Sequence, residues 1–100
     1  MKPNELKGFR EKIDAVDDQI VELLAERAGY VKEVGKRKKA AKLPEFRPER
    51  EVEIIERMCE RNKLLNSGLP CESIATFWLE IISGCRAWEK KLEIAYLGPQ

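Results

Sequence analysis

The chain of 100 residues contains no histidine, and this absence removes several classes of chemistry at once. Histidine is the commonest metal ligand and the commonest general base in proteins. Without it a Ser-His-Asp triad is impossible. Any catalysis must therefore depend on other groups, and the sequence offers 19 basic and 18 acidic side chains for that purpose.

Cysteine is scarce as well. Cys59, Cys71 and Cys85 are odd in number and show no C-x-x-C spacing. Such a count and spacing indicate neither a disulfide framework nor a zinc site. We therefore expect no disulfide framework, no bound metal and a protein of the reducing cytoplasm.

The sequence also lacks long apolar runs and a strong charge of one sign. No stretch approaches the ~20 apolar residues that span a bilayer, and no apolar core of a cleaved signal follows the N-terminus. The net charge of +1 does not suit non-specific binding to nucleic acid. We expect a soluble protein with no nucleic-acid or membrane partner, in which any positive site is local.

A helical period dominates the N-terminal part of the chain. Asn4 is a favourable N-cap residue, and apolar residues then recur at steps of three and four. They are Leu6, Phe9, Ile13, Val16, Ile20, Leu23, Val31 and Val34. Because nothing interrupts the pattern before Pro44, it predicts one long helix over residues 5–41.

This first helix is too long to be covered by its own chain. At 1.5 Å per residue it would extend roughly 55 Å, whereas a compact domain of this size has a radius of gyration of about 13 Å. Two shorter helices can shield only part of its apolar stripe. A second copy is the economical partner, so we predict an intertwined homodimer.

Two further helices are predicted. Pro48 suits the first turn of a helix over residues 48–64, and Asn66 to Pro70 form a turn before a third helix over residues 71–95. Their apolar positions are Val52, Ile55, Met58, Cys59 and Leu65, then Ile74, Phe77, Trp78, Ile81, Ile82, Cys85, Trp88 and Leu92. The predicted fold is an all-α, three-helix protomer forming a single domain over residues 1–100.

Two cations in the first helix occupy positions where the period places apolar residues. Helical steps from Leu23 lead to Arg27 and then to Lys38. A single inward cation most often reaches solvent or pairs with a nearby carboxylate. Arg10 lies too far along the helix to join the other two within one chain, so only the partner's Arg10 can reach them.

The other two helices also carry ionisable residues at notable positions. Glu89 continues the apolar row through Cys85, and Arg50 opens the second helix with Glu51 beside it as an acceptor. Ionisable residues at inward positions on all three helices are expensive unless a ligand compensates them. We therefore predict a cationic pocket suited to a small dicarboxylate.

The order and spacing of these residues resemble the all-helical chorismate mutases over nearly the whole chain. The motifs are Phe9-Arg10-Glu11-Lys12-Ile13-Asp14, Leu23-Leu24-Ala25-Glu26-Arg27, Val34-Gly35-Lys36-Arg37-Lys38, Pro48-Glu49-Arg50-Glu51 and Glu80 to Glu89. Each motif is short, but their order and the interval from Lys38 to Arg50 are specific. The resemblance implies a domain-swapped homodimer that converts chorismate to prephenate in aromatic amino-acid biosynthesis, with no cofactor.

The resemblance also implies roles for individual residues. Arg27 and Arg50, with the partner's Arg10, would hold the substrate carboxylates. Lys38 and Glu89 would flank the ether oxygen as catalytic residues. The reaction is an intramolecular [3,3] rearrangement, so it needs no nucleophile, metal or obligatory proton transfer.

The remaining positions include three departures from the family pattern. Glu51 and a backbone amide near Arg47 would bind the ring hydroxyl, although the family commonly has aspartate where Arg47 stands. Cys85 replaces a serine near the ring carboxylate, and Glu89 replaces a glutamine. Two alternatives remain open, an isochorismate-pyruvate lyase on the same fold and a non-catalytic helical dimerisation or regulatory module, as does whether the domain is free-standing or part of a bifunctional enzyme.

Overall fold

The computed structural model describes the backbone of residues 2–43 and 47–97, and side chains as far as Cys85. Three α-helices form this part of the chain, and it contains no strand. They are α1 (Pro3–Ala40), α2 (Pro48–Leu65) and α3 (Cys71–Leu97). The predicted all-α protomer of three helices is confirmed. None of the three, over the residues described, is long and apolar enough to cross a membrane.

Helix α1 begins at Pro3, so the prediction that Asn4 caps it was wrong. The backbone amides of Glu5 and Leu6 donate to the carbonyl of Lys2, at 3.0 and 3.2 Å. Proline is favoured at the first helical position because its φ is already helical and its missing N–H would have no intrahelical acceptor there. The proline therefore outweighs the side-chain cap that Asn4 offered.

The chain divides into two compact units, Met1–Glu33 and Val34–Gln100. The first unit consists of the larger part of α1. Its predicted apolar stripe from Leu6 to Leu23 lies on the surface of the single chain, with exposed fractions between 41% for Leu6 and 62% for Leu23. An isolated amphipathic helix gains most of its stability from packing, which this stripe does not receive from its own unit.

In the second unit, α2 packs against α3. The buried apolar residues among those described are Ile74 and Ile82, both at predicted inward positions of α3. Other members of the predicted stripes remain on the surface, since Val52 and Phe77 are 53% and 49% exposed. The described core is therefore small for a chain of this length.

A hydrogen-bonded turn connects α2 to α3. Asn66 and Gly68 adopt left-handed conformations, with φ of 51° and 85°, which end α2 and reverse the chain. The side-chain amide of Asn62 donates to the carbonyl of Leu69 at 2.8 Å. The Ser67 hydroxyl bonds to the Asn62 side-chain oxygen and accepts from the Leu69 amide. The turn predicted at this point is thus fixed by side-chain contacts.

This turn brings Cys59 and Cys71 together as a disulfide, with their Cα atoms 5.2 Å apart. The separation lies within the usual range of about 4.4–6.8 Å. The sequence predicted no disulfide framework, and this single pair was not anticipated. The number of cysteines and the absence of C-x-x-C spacing do not show whether a turn between two helices brings two distant cysteines together. The cysteines therefore no longer support the expected location in a reducing cytoplasm.

Candidate active site

Arg10 and Arg27 both lie in the first unit, but they are far apart along the axis of α1. Arg10 is exposed and Arg27 is half-buried. Their positions differ by about 25 Å along the helix axis, at 1.5 Å per residue. One small ligand cannot contact both arginines of one chain. The structure therefore keeps these two predicted residues apart within a protomer.

Lys38 lies in the last turn of α1, within the second unit. Its side chain is half-buried, whereas those of Arg37 and Lys39 are exposed. This difference in exposure agrees with the helical phase that distinguished Lys38 from its basic neighbours. The Leu43 amide donates to the Lys38 carbonyl at 2.8 Å, which closes this end of the helix.

The first turn of α2 brings Arg47, Arg50 and Glu51 together. The backbone amides of Arg50 and Glu51 donate to the carbonyl of Arg47, at 3.0 and 3.4 Å. No side chain caps this end of the helix, and Pro48 occupies one of its first positions. The N-terminal turn of a helix presents backbone N–H groups and partial positive charge, a setting that favours a polar or anionic ligand.

These arginines contact two carboxylates that were not among the predicted site residues. Arg50 pairs with Glu53 at 3.6 Å, and the Arg47 guanidinium donates to Glu49 at 3.5 Å. The spacing of Arg50 and Glu53, three residues apart on one helix, is the sequence signal that could have identified that pair. All four side chains are more than half exposed, between 57% and 66%, so each pair contributes little to stability and can yield to a ligand.

The third helix contributes Cys85, which is half-buried. The other predicted residue of this helix, Glu89, lies outside the described side chains. The predicted site residues described in the second unit are therefore Lys38 at the end of α1, Arg47, Arg50 and Glu51 at the start of α2, and Cys85 in α3. Cations outnumber carboxylates among these predicted residues, which suits an anionic substrate.

Comparison with known proteins identifies the class to which such a helical protein belongs. A chorismate mutase of Thermus thermophilus (Form II) superposes with a TM-score of 0.79 and 28% identity, covering 86% of this chain and 94% of that one. The family described as chorismate mutase type II matches residues 9–90. The chain belongs to this all-helical chorismate mutase family, and the resemblance predicted from its motifs is confirmed.

Relatives of higher identity are longer proteins, and the chain matches only a part of each. A bifunctional chorismate mutase/prephenate dehydratase of Aquifex aeolicus is 45% identical over 97 residues, which are 96% of this chain and 27% of that protein. A protein of the same description from Neisseria gonorrhoeae is 43% identical over 91% of this chain and 24% of its own length. The chain thus spans about a quarter of the length of these curated relatives.

Proposed function

We propose that this protein catalyses the rearrangement of chorismate to prephenate in aromatic amino-acid biosynthesis. The observation that carries the proposal is the family match over residues 9–90, an interval that includes every predicted site residue from Arg10 to Glu89. The proposal concerns the mutase reaction alone, because the chain corresponds to about a quarter of its bifunctional relatives.

The chemistry fits a site built from cations without histidine. Chorismate is a dianion, and its rearrangement breaks a C–O bond and forms a C–C bond within one molecule. A protein accelerates such a reaction by holding the compact reactive conformer and by directing donors at the oxygen that gains negative charge. Arginines provide bidentate contacts to carboxylates, and a lysine provides a compact positive donor.

The proposed roles follow from these requirements and from the family resemblance. Arg27 and Arg50, with the partner's Arg10, bind the two carboxylates. Lys38 and Glu89 contact the ether oxygen. The half-buried position of Lys38 supports its role, since a partly desolvated ammonium interacts more strongly with developing charge than an exposed one.

The ring of the substrate is proposed to lie near the N-terminus of α2. Glu51 accepts a hydrogen bond from the ring hydroxyl, and a backbone amide next to Arg47 donates to it. Cys85 lies near the ring carboxylate, in place of the serine common in the family. Half-burial of Glu51 and Cys85 supports their use in a pocket rather than on an open surface.

The working protein is proposed to be a domain-swapped, cytoplasmic homodimer in which residues 1–100 form one domain. The stripe on α1 supports the second copy, because apolar side chains 41% to 62% exposed at helical spacing need a partner surface. The distance between Arg10 and Arg27 supports the swap, since a complete set of arginines then requires two chains.

A turnover assay with two substrates tests the proposed reaction. Purified protein is incubated with chorismate and, separately, with isochorismate, while prephenate, salicylate and pyruvate are measured. Prephenate from chorismate is the expected result. Salicylate and pyruvate from isochorismate alone would identify a lyase. Absence of turnover, together with no stabilisation by a bicyclic dicarboxylate that mimics the transition state, would identify a non-catalytic helical module.

A further inference from the structure

The contact between α2 and the start of α3 contains a pair of cysteines that the proposed reaction does not use. We propose that Cys59 and Cys71 form a reversible thiol–disulfide site that exchanges with low-molecular-weight disulfides such as oxidised glutathione. Cys71 is the residue that reacts first, and Cys59 then resolves the mixed disulfide. This inference stands whether or not the protein is a mutase.

The fold holds the two cysteines together by contacts that do not involve sulfur. Asn62 follows Cys59 by one helical turn, and Leu69 precedes Cys71 by two residues. The hydrogen bond from the Asn62 side chain to the Leu69 carbonyl, at 2.8 Å, therefore ties the backbone beside one cysteine to the backbone beside the other. Because this bond does not involve sulfur, it does not depend on the disulfide, and it can hold the thiols close enough for rapid ring closure.

The surroundings of Cys59 suit both redox states. Its sulfur lies 3.4 Å from the backbone carbonyl oxygen of Cys71. A disulfide sulfur carries no hydrogen, so this contact becomes a hydrogen bond only when Cys59 is a thiol. Reduction thus provides an S–H donor with an acceptor already in place, and neither state requires the helices to move apart.

Exposure and helix position determine the order of reaction. Cys71 is exposed and is the first residue of α3, a helix of 27 residues, whereas Cys59 is half-buried within α2. The partial positive charge at a helix N-terminus favours the thiolate, which is the reactive form of cysteine. An external disulfide therefore reaches Cys71 more readily than Cys59.

The exchange balances as two successive displacements. The Cys71 thiolate attacks one sulfur of oxidised glutathione, which forms the mixed disulfide and releases one glutathione thiolate. The Cys59 thiolate then attacks the Cys71 sulfur and releases the second. The two protons of the protein thiols end on the two glutathione molecules, so the protein pair loses two electrons and the glutathione disulfide gains them.

A surface depression that is open to solvent lies beside the cysteines. Its volume is about 510 Å³, and both cysteines line it. Lys63 on its rim suits a carboxylate of glutathione, and Glu56 and Glu60 suit its ammonium group.

The proposed cytoplasmic location gives this site a regulatory character. In a reducing compartment such a pair exists mainly as thiols, and disulfides that form there are transient or redox-sensing. Oxidation would link α2 covalently to α3, the helix that carries Cys85. The covalent link closes a short loop and restricts the unfolded chain.

Trapping experiments test the order of reaction. Reduced protein is mixed with oxidised glutathione, quenched with an alkylating agent and analysed by peptide mass spectrometry. The wild type should form the Cys59–Cys71 disulfide, whereas Cys59→Ser should stop at a glutathione adduct on Cys71. Cys71→Ser should react several-fold more slowly. The double variant, which keeps Cys85, measures the background of that thiol.

Two further measurements test whether the fold positions the two cysteines for reaction with each other. Asn62→Ala should prolong the mixed disulfide on Cys71, whereas Arg61→Ala, at an exposed neighbour on α2, should not. Oxidation should raise the Tm of the wild type by on the order of 10 °C and leave the Tm of the double variant unchanged. The proposal fails if oxidised glutathione leaves the wild-type pair reduced, if Cys59 reacts as fast as Cys71, or if Asn62→Ala closes the ring at the wild-type rate.

Discussion

Arg10 and Arg27 project from one continuous helix at levels separated by about 25 Å. A molecule the size of chorismate cannot bridge that distance. If both arginines bind the same substrate, as proposed, they must come from different chains. The proposed domain swap can therefore be tested by enzyme kinetics.

Arg10→Ala and Arg27→Ala should each be nearly inactive, yet a mixture should recover activity after subunit exchange. A heterodimer of the two variants contains one site with both arginines and one site with neither. Random exchange of equal amounts should therefore restore roughly a quarter of the wild-type rate. The steady-state rate before and after exchange measures this, and each variant incubated alone is the control. Unchanged activity in the exchanged mixture would contradict the shared site.

Substitutions of two valines on α1 can show whether a second chain covers the apolar stripe of this helix. Val16 lies on the stripe and Val21 lies off it, and they are 52% and 66% exposed in the single chain. Val16→Asp should shift the protein towards monomer and destabilise it by several kcal/mol or more, on the order of the penalty for burying an unpaired charge. Val21→Asp should do neither. Sedimentation equilibrium and thermal unfolding measure both effects, and equal behaviour of the two variants would argue against burial of the stripe in a dimer.

Lys38 should contribute mainly to the transition state. Lys38→Ala removes the proposed donor at the ether oxygen, and kcat should fall about 100-fold or more. Lys39→Ala removes the same charge from an exposed neighbour and should leave kcat nearly unchanged. A defect of Lys38→Ala confined to KM would instead mean that this lysine binds substrate and transition state equally.

The Arg50–Glu53 pair should compete with substrate. Both side chains are more than 60% exposed, so Glu53→Gln should change the free energy of unfolding by less than about 1 kcal/mol. Because the substitution releases the Arg50 guanidinium, KM for chorismate should fall, while Arg50→Ala should raise it strongly. Thermal unfolding and initial-rate kinetics provide the two readouts. An increased KM for Glu53→Gln would mean that the carboxylate positions Arg50 rather than competing for it.

The helical period was sufficient to predict the three elements and the distinction between Lys38 and Lys39. Each depends on which way a residue faces along one helix, and the sequence repeats that information at every turn. The pairing of Cys59 with Cys71 depends instead on how a turn aligns two helices. That alignment comes from left-handed backbone at Asn66 and Gly68, which a residue count does not reveal.

The roles of the site residues stay predictions, because helical phase does not determine what a side chain binds. The carboxylates that contact Arg47 and Arg50 were not predicted, although the three-residue spacing of Arg50 and Glu53 was available as a signal. Glu53 and Glu49 look like ordinary surface residues until their contacts with Arg50 and Arg47 are seen. Such exposed pairs leave no trace in hydrophobic patterning, because neither partner occupies an apolar position.

Glu89 lies beyond the described side chains and stands where the family commonly has glutamine. As the C–O bond breaks, negative charge grows on the ether oxygen. An ionised carboxylate would repel that charge, whereas a neutral carboxylic acid can donate a hydrogen bond to it. Because only the protonated acid can donate, activity should decline as rising pH ionises Glu89.

Glu89→Gln supplies a permanently neutral donor of similar shape and should extend high activity to neutral and alkaline pH. Glu80→Gln, an exposed carboxylate earlier on α3, should keep the wild-type profile. Measurement of kcat/KM from about pH 3.5 to 9 covers the ordinary titration range of a glutamate, near about 4.3, and a raised one. A flat wild-type profile, or a Glu89→Gln variant that is poor at every pH, would exclude Glu89 as the donor, because loss of a repelling charge must otherwise increase the rate at high pH.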